Sequence, residues 1–333
     1  MIVRRGFGLM MTLALAVVLA LPTVAQDAGD VFADGLPNPR NMSFDSDGNL
    51  YVAEAGVAGA QMTAAEDPYG ASASVSVIAP DGTRDVVVAG LISYREGNPL
   101  GAHDIIVTDE SYWVLLGETA DFRIPFTHAL VQLDKDTGRV KTFVDLLSLE
   151  LEEDPDNNPN EQSNAVDMAI APDGSITIAN AGCNCLMSWS AEAGLSVLAA
   201  WDFASDNPVP TSVAYGPDGD LYVGFLTGFP FPQGGSRIER WSGGELAETY
   251  EGLTAVTSLL VTDDGTIYAV ELGVFDQGWN PGRVIMIQDG NVVPVLEDLT
   301  QPYGIAQGTD GTLYVSTNTF GAADGQIITI PMN

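Results

Sequence analysis

Two groups of residues in this chain could do chemistry if the fold gathers them. The first is a set of carboxylates and one amide, Glu54, Asp104, Asp167, Asn180 and Glu271. These are the oxygen donors of a calcium or other hard-cation site, and a bound cation could polarise an ester carbonyl or activate water. Beside them, His103 next to Asp104 offers a general base with an orienting carboxylate. Adjacent residues on a regular strand face opposite sides, however, which favours a structural role for this histidine. The second group is Arg40, Asn41, His103 and Tyr303 with the aromatics Phe229, Phe231 and Trp279, suited to a small molecule with a few polar groups and an apolar body. Competing roles are open for both groups: polar residues at strand starts cap backbone groups and hydrate a channel, and Phe229 and Phe231 can pack over neighbouring strands.

Positioning such residues requires a repeated scaffold, and the chain contains one. Asp-Gly recurs at Asp47-Gly48, Asp173-Gly174, Asp218-Gly219, Asp264-Gly265 and Asp310-Gly311, with Glu110-Ser111 filling the remaining place, at spacings of 63, 63, 45, 46 and 46 residues. Apolar runs flank each pair, as in Leu50-Tyr51-Val52 and Leu221-Tyr222-Val223, which is the pattern of a tight hairpin. Third and fourth strands follow, for example Arg237 to Trp241 with Leu246 to Tyr250. Four antiparallel strands in about 45 residues is the size of a propeller blade. The sequence therefore predicts an all-β, six-bladed β-propeller over residues 26–333. Its last unit has only three strands, ending at Gln326 to Ile330, and the segment Asp30 to Leu36 reads like an outer strand. The N-terminal strand is expected to complete the last blade.

The register of the repeat predicts which residues share a level. Seven residues before each turn glycine or its serine counterpart stand Asn41, Asp104, Asp167, Ser212, Ser258 and Gly304; one residue earlier come Arg40, His103, Val166, Thr211, Thr257 and Tyr303. Six residues after the turn stand Glu54, Gly117, Asn180, Phe225, Glu271 and Thr317. The long connections, 55–73, 117–128, 147–163, 226–236 and 273–281, all fall on the face opposite the Asp-Gly turns, so the site is expected at the loop-rich mouth of the channel. The acidic run from Glu150 to Glu161 lacks the spacing and glycine of an EF-hand and reads as a solvated loop.

Residues 1–25 read as a signal peptide: Arg4 and Arg5, an uncharged stretch from Gly6 to Leu21, and small residues at Thr23 and Ala25. The paired arginines leave the general secretory and twin-arginine routes both open. Cleavage near Ala25 leaves 10 basic against 45 acidic residues, a net charge of −35, which argues against nucleic acid and anionic membrane as partners. No later segment is apolar enough to insert in a membrane. Cys183 and Cys185 are the only cysteines; an oxidised local pair or two free thiols both fit, ahead of a metal site, which wants four ligands.

The segments Asn38-Pro39-Arg40-Asn41-Met42, Leu50 to Gly56, Leu226 to Pro232, Thr254-Ala255-Val256-Thr257 and Pro281-Gly282-Arg283 closely resemble the ScyD/ScyE family over essentially the whole mature chain. The resemblance implies an exported six-bladed propeller related to NHL and SMP-30/gluconolactonase-like folds, without an established activity for most members. The chain departs from the family pattern at Phe225 and Ser258, where acids are expected, and at Asn180 with its neighbouring cysteines; each change removes a candidate ligand.

Three functions follow as expectations. The first is a periplasmic or extracellular propeller that binds a small molecule or an extracytoplasmic protein, because aromatic loops crown the mouth and no nucleophile constellation is recognisable. The second is a calcium-type hydrolase of lactones or related esters, motivated by the acidic ring. The third is a scaffold for protein interaction, which would present a flat top face.

Overall fold

The computed structural model describes residues 29–331 except 120, 122, 205, 206 and 322. The expected signal segment, 1–25, lies outside the described residues. Six antiparallel sheets make six blades, each with its first strand nearest the axis. The first strands are Pro39–Phe44, Ala102–Val107, Ala165–Ile170, Pro210–Tyr215, Val256–Val261 and Ile305–Gln307. The second strands Leu50–Glu54, Ile176–Asn180 and Ile267–Glu271 are buried throughout, and each of the other three has a single half-buried residue, because a blade is covered on both sides by its neighbours. That explains their near-continuous apolar runs, which alternate poorly compared with a sheet that has one wet face.

Six apolar clusters hold the ring, one between each pair of adjacent blades. Ile105, Val114 and Leu116 meet Tyr51 and Val75 across blades 1 and 2, and Tyr222 and Ile238 meet Leu259 and Ile285 across blades 4 and 5. The seam is built the same way. Asp30–Leu36 pairs antiparallel with Gly325–Ile330 and so supplies the outer strand of the last blade. Its Leu36, fully buried, packs with Met42, Leu50 and Ile327. Asn38 adds a bridge across the seam: its amide donates to Gly56 O at 2.7 Å and its Oδ1 accepts from Gly321 N at 2.7 Å.

The Asp-Gly turns are wider than a two-residue hairpin. In each of the five, the glycine N–H donates to the carbonyl three residues earlier, as in Gly174 to Ala171 and Gly265 to Thr262. These glycines have φ between 82° and 87°, and the aspartates before them are absent from the left-handed region. A two-residue type I′ turn would require positive φ at both positions. Here a type I turn ends on a left-handed glycine, and the carboxylates of Asp173, Asp218, Asp264 and Asp310 cap the N–H two residues on.

Blade 1 is the outlier in size. Its third and fourth strands, Pro68–Ile78 and Arg84–Glu96, extend well beyond those of the other blades and add short strands at Gln61–Met62 and Asn98–Leu100. The connection from blade 2 to blade 3 carries a helix, Leu147–Glu153. Truncating Leu36→Ala should destabilise the protein by about 2–5 kcal/mol through the cavity left at the seam. Urea denaturation followed by tryptophan fluorescence would read this loss, and an unchanged midpoint would mean that the N-terminal strand does not close the ring.

Candidate functional site

Five of the six first strands carry a bulge where they begin. Register shifts fall between Ala102 and Asp104, Ala165 and Asp167, Pro210 and Ser212, Val256 and Ser258, and Pro39 and Met42. A bulge breaks the alternation of side chains and re-aims them. Consequently His103 and Asp104, expected on opposite sides, both reach the first strand of blade 3. His103 Nδ1 lies 3.0 Å from Ala165 O, and Asp104 Oδ2 accepts from Met168 N at 2.9 Å.

Two stacked levels result. The lower one closes the axis. Asp104 accepts from Met168 N, Asp167 accepts from Val213 N at 2.8 Å and Ser212 Oγ at 2.8 Å, and Ser212 Oγ accepts from Leu259 N at 2.7 Å. Asn41 reaches across from blade 1, donating to Val166 O and Asp167 Oδ1 at 3.0 and 3.2 Å. Gly304 is required in the sixth place, since a Cβ there would fall 2.6 Å from Arg40 O. Burial, then the charge of Asp167, holds Asp104 well above the ordinary carboxylate range, and burial pushes Asp167 up to about 6. Of the two, Asp104 holds its proton to the higher pH, with its carboxyl facing that of Asp167.

The upper level is the floor of a cavity of about 210 Å³ at the loop-rich mouth. All six residues of that register, Arg40, His103, Val166, Thr211, Thr257 and Tyr303, line it, and Phe231, Trp279 and Phe320 are among the side chains that wall it. Arg40 is 1% exposed. It donates to Thr319 O and Pro99 O, both at 2.6 Å, and its guanidinium carbon lies 4.8 Å from the ring centres of Tyr303 and Phe320. Among the described residues no carboxylate pairs with it, and burial lowers it to about 10, so it stays cationic at neutral pH. Desolvation, reinforced by Arg40, drives His103 down to about 3. The imidazole is neutral and donates Nδ1–H to Ala165 O, which leaves its buried Nε2 as an unused acceptor. Gly117 makes room for this ring, since a Cβ there would lie 2.5 Å from His103 Cε1. Burial lifts Tyr303 to about 12, so its phenol remains a donor.

Beside the cavity runs a polar groove of about 240 Å³, sharing Asn164, Ala181, Val209 and Phe231 with it and lined further by Asn158, Gln162, Asn184 and Asn207. Over both stand Phe229, Phe231, Phe275 and Trp279, packed ring to ring at 5.0–6.4 Å. Phe231 and Trp279 line the cavity while packing against their neighbours, and Phe229 is 77% exposed.

The five oxygen donors separate in space. Asp104 and Asp167 meet on the axis, but their oxygens already accept backbone N–H groups. Glu54 accepts from Ser74 at 2.8 Å, Asn180 bonds Asn164 N and Ser163, and Glu271 takes Thr254 N and Arg283, each within its own blade or the connection leading into it. At that register the bonds of Glu54, Asn180 and Glu271 are local, and none of the three lines the cavity. Phe225 lies under Arg237 with 4.5 Å from guanidinium to ring centre. Cys183 and Cys185 are joined in a disulfide buried between blades 2 and 3. Among the described residues no helix is long and apolar enough to cross a membrane.

The blade count and topology define a six-bladed β-propeller with a cavity at one mouth. No family model and no curated protein matches the chain. Solved structures share its fold. The calcium-binding protein regucalcin from Agrobacterium tumefaciens superposes with a TM-score of 0.57 at 14% identity, over 90% of this chain and 93% of its own. A putative oxidoreductase (glucose dehydrogenase) from Thermus thermophilus gives 0.57 at 13%, over 91% and 99%, and a streptogramin B lyase gives 0.52 at 14%, over 89% and 95%. Identities this low establish architecture alone.

The axial pair predicts a pH dependence. Both carboxyls hold their protons more tightly in the folded chain than in the unfolded one, where Asp titrates near ~4. Their stabilising contribution is therefore complete below ~4 and is lost as pH rises through about 6 for Asp167 and higher for Asp104. Denaturation midpoints measured between these limits should fall more steeply for the wild type than for Asp104→Asn, whose amide cannot ionise. Parallel curves would remove the pair as the source.

Proposed function

We propose that this is an exported binding propeller of the ScyD/ScyE type, and that its mouth holds a small ligand carrying a carboxylate on an aromatic or otherwise apolar body. One observation carries the reading. Arg40 is a buried cation with no anionic partner among the described residues, at the base of a largely apolar cavity. Removing such a charge from water is costly unless an opposite charge meets it, and a ligand carboxylate would supply that charge. His103 Nε2 and the Tyr303 hydroxyl then offer one acceptor and one donor to polar groups on the ligand. Trp279 and Phe231 offer faces and edges to its body.

Binding is favoured over acid–base catalysis because a histidine held near 3 is a poor base at neutral pH. The concave mouth also fits a small ligand better than the flat face a scaffold would present. Export is supported by Arg4, Arg5 and the apolar run to Leu21, together with a disulfide, a bond that persists in oxidising compartments.

Calorimetric titration of the mature protein with aromatic carboxylic acids and with their methyl esters would test this. The acids should bind and the esters should not. Trp279→Ala and Tyr303→Phe should weaken binding about tenfold, near ~1.4 kcal/mol, with little effect on the unliganded melting temperature. Gly117→Ala should also weaken it by displacing the His103 ring. Equal binding of acid and ester, or no binding by any acid, would sink the reading.

A further inference from the structure

The acidic connection between blades 2 and 3 does not behave as a solvated loop. Glu150 sits on the helix Leu147–Glu153 and is 1% exposed, Asp156 is fully buried, and Asp154 caps the helix in the left-handed region. One carboxylate oxygen from each lies within 4.8 Å of the others. Among the described residues this is the only set of three or more candidate ligands so close, and no Lys, Arg or His pairs with any of them. Asp154, Asp156 and Glu161 all act on Glu150 with the same sign of charge.

The decisive detail is Glu150 itself. Its Oε1 accepts only a 3.3 Å bond from Gln162 N, and its Oε2 is buried with no partner. A carboxylate oxygen withdrawn from water, unbonded and set among other carboxylates must be met by a positive charge, either a proton, which burial favours on Glu150, or a bound cation that answers all three carboxylates at once. We infer that Glu150, Asp154 and Asp156 bind a calcium ion. The donors are all carboxylates, which selects a hard cation over zinc or copper, and an irregular loop with several oxygens suits calcium, whose coordination is permissive, better than magnesium.

The neighbours of these three residues give the ion a structural consequence. Asp156 accepts from Asn158 N at 3.1 Å through Oδ1 and from Asn184 Nδ2 at 2.9 Å through Oδ2, which leaves each oxygen a second lone pair for an ion, and Asn184 Oδ1 accepts from Val209 N at 2.9 Å. Asn184, Val209, Asn158 and Gln162 all border the polar groove. Calcium would therefore order one wall of the groove from outside, at a site separate from the channel axis.

The test is a calcium titration of the chelator-treated mature protein, read by calorimetry, bound-metal analysis and thermal unfolding. One calcium per chain is expected, with a melting temperature about 5 °C higher at a hundredfold excess over the dissociation constant. Glu150→Gln and Asp154→Asn should abolish both responses. Asp154 is exposed, so its variant remains informative if replacing Glu150 prevents folding. Asp104→Asn should keep the full calcium response. The inference is overturned if the wild type binds no calcium, or if the response survives in Glu150→Gln and Asp154→Asn and disappears in Asp104→Asn. Ligand binding at the mouth plays no part in these readouts, so failure here and failure of the binding proposal are distinguishable.

Discussion

The structure depends on how the innermost strand of each blade satisfies the backbone groups it turns toward the axis. Those strands are sheet edges, and an edge buried in the middle of a protein leaves donors that water cannot reach. Here the side chain of one blade caps the backbone of the next: Asp104 takes Met168 N, Asp167 takes Val213 N, and Ser212 takes Leu259 N. Blades 2 to 5 are thereby bonded in sequence as well as packed. Burying two carboxylates together this way holds Asp104 toward its protonated form, which makes the axial pair sensitive to pH.

This closure has a consequence for the mouth. With the axis sealed below, the cavity is a cup and not a tunnel, and the residues just above the seal form its floor. The same bulges that free the capping residues also turn Arg40, His103 and Thr211 toward the cup. Arg40 links both levels of organisation. It holds the carbonyls of Thr319 and Pro99, tying the last blade and the exit of the first together, while its charge is left for an outside partner. The surrounding protein is strongly acidic, so long-range attraction cannot bring an anion here. Selectivity must come from short-range contact inside the cup, where screening by water and salt is weak.

Much of this was legible in the sequence because the repeat is strict. The spacing of Asp-Gly pairs fixed the number of blades, the three-stranded last unit required the N-terminal strand, and the register placed Arg40, His103, Val166, Thr211, Thr257 and Tyr303 on one level, where the cavity floor is found. Gly117 was also on view in that register, but nothing in a lone glycine announces that it exists to admit an imidazole.

What the sequence determined was therefore periodicity: which residues share a height, which connections are long, and which face carries them. Tertiary structure decided direction and pairing. Strict alternation put His103 and Asp104 on opposite sides, and a bulge put them on the same one, because the extra residue shifts the pleat by half a period. Equal height suggested that Glu54, Asn180 and Glu271 converge with the axial aspartates, yet each is taken up by local partners, Ser74, Ser163 and Arg283. Composition made the run from Glu150 to Glu161 look solvated, whereas the fold buries Glu150 and Asp156 beneath it. Charge is written in the sequence, but whether a charge meets water, a partner or neither is settled only when the chain has closed around it.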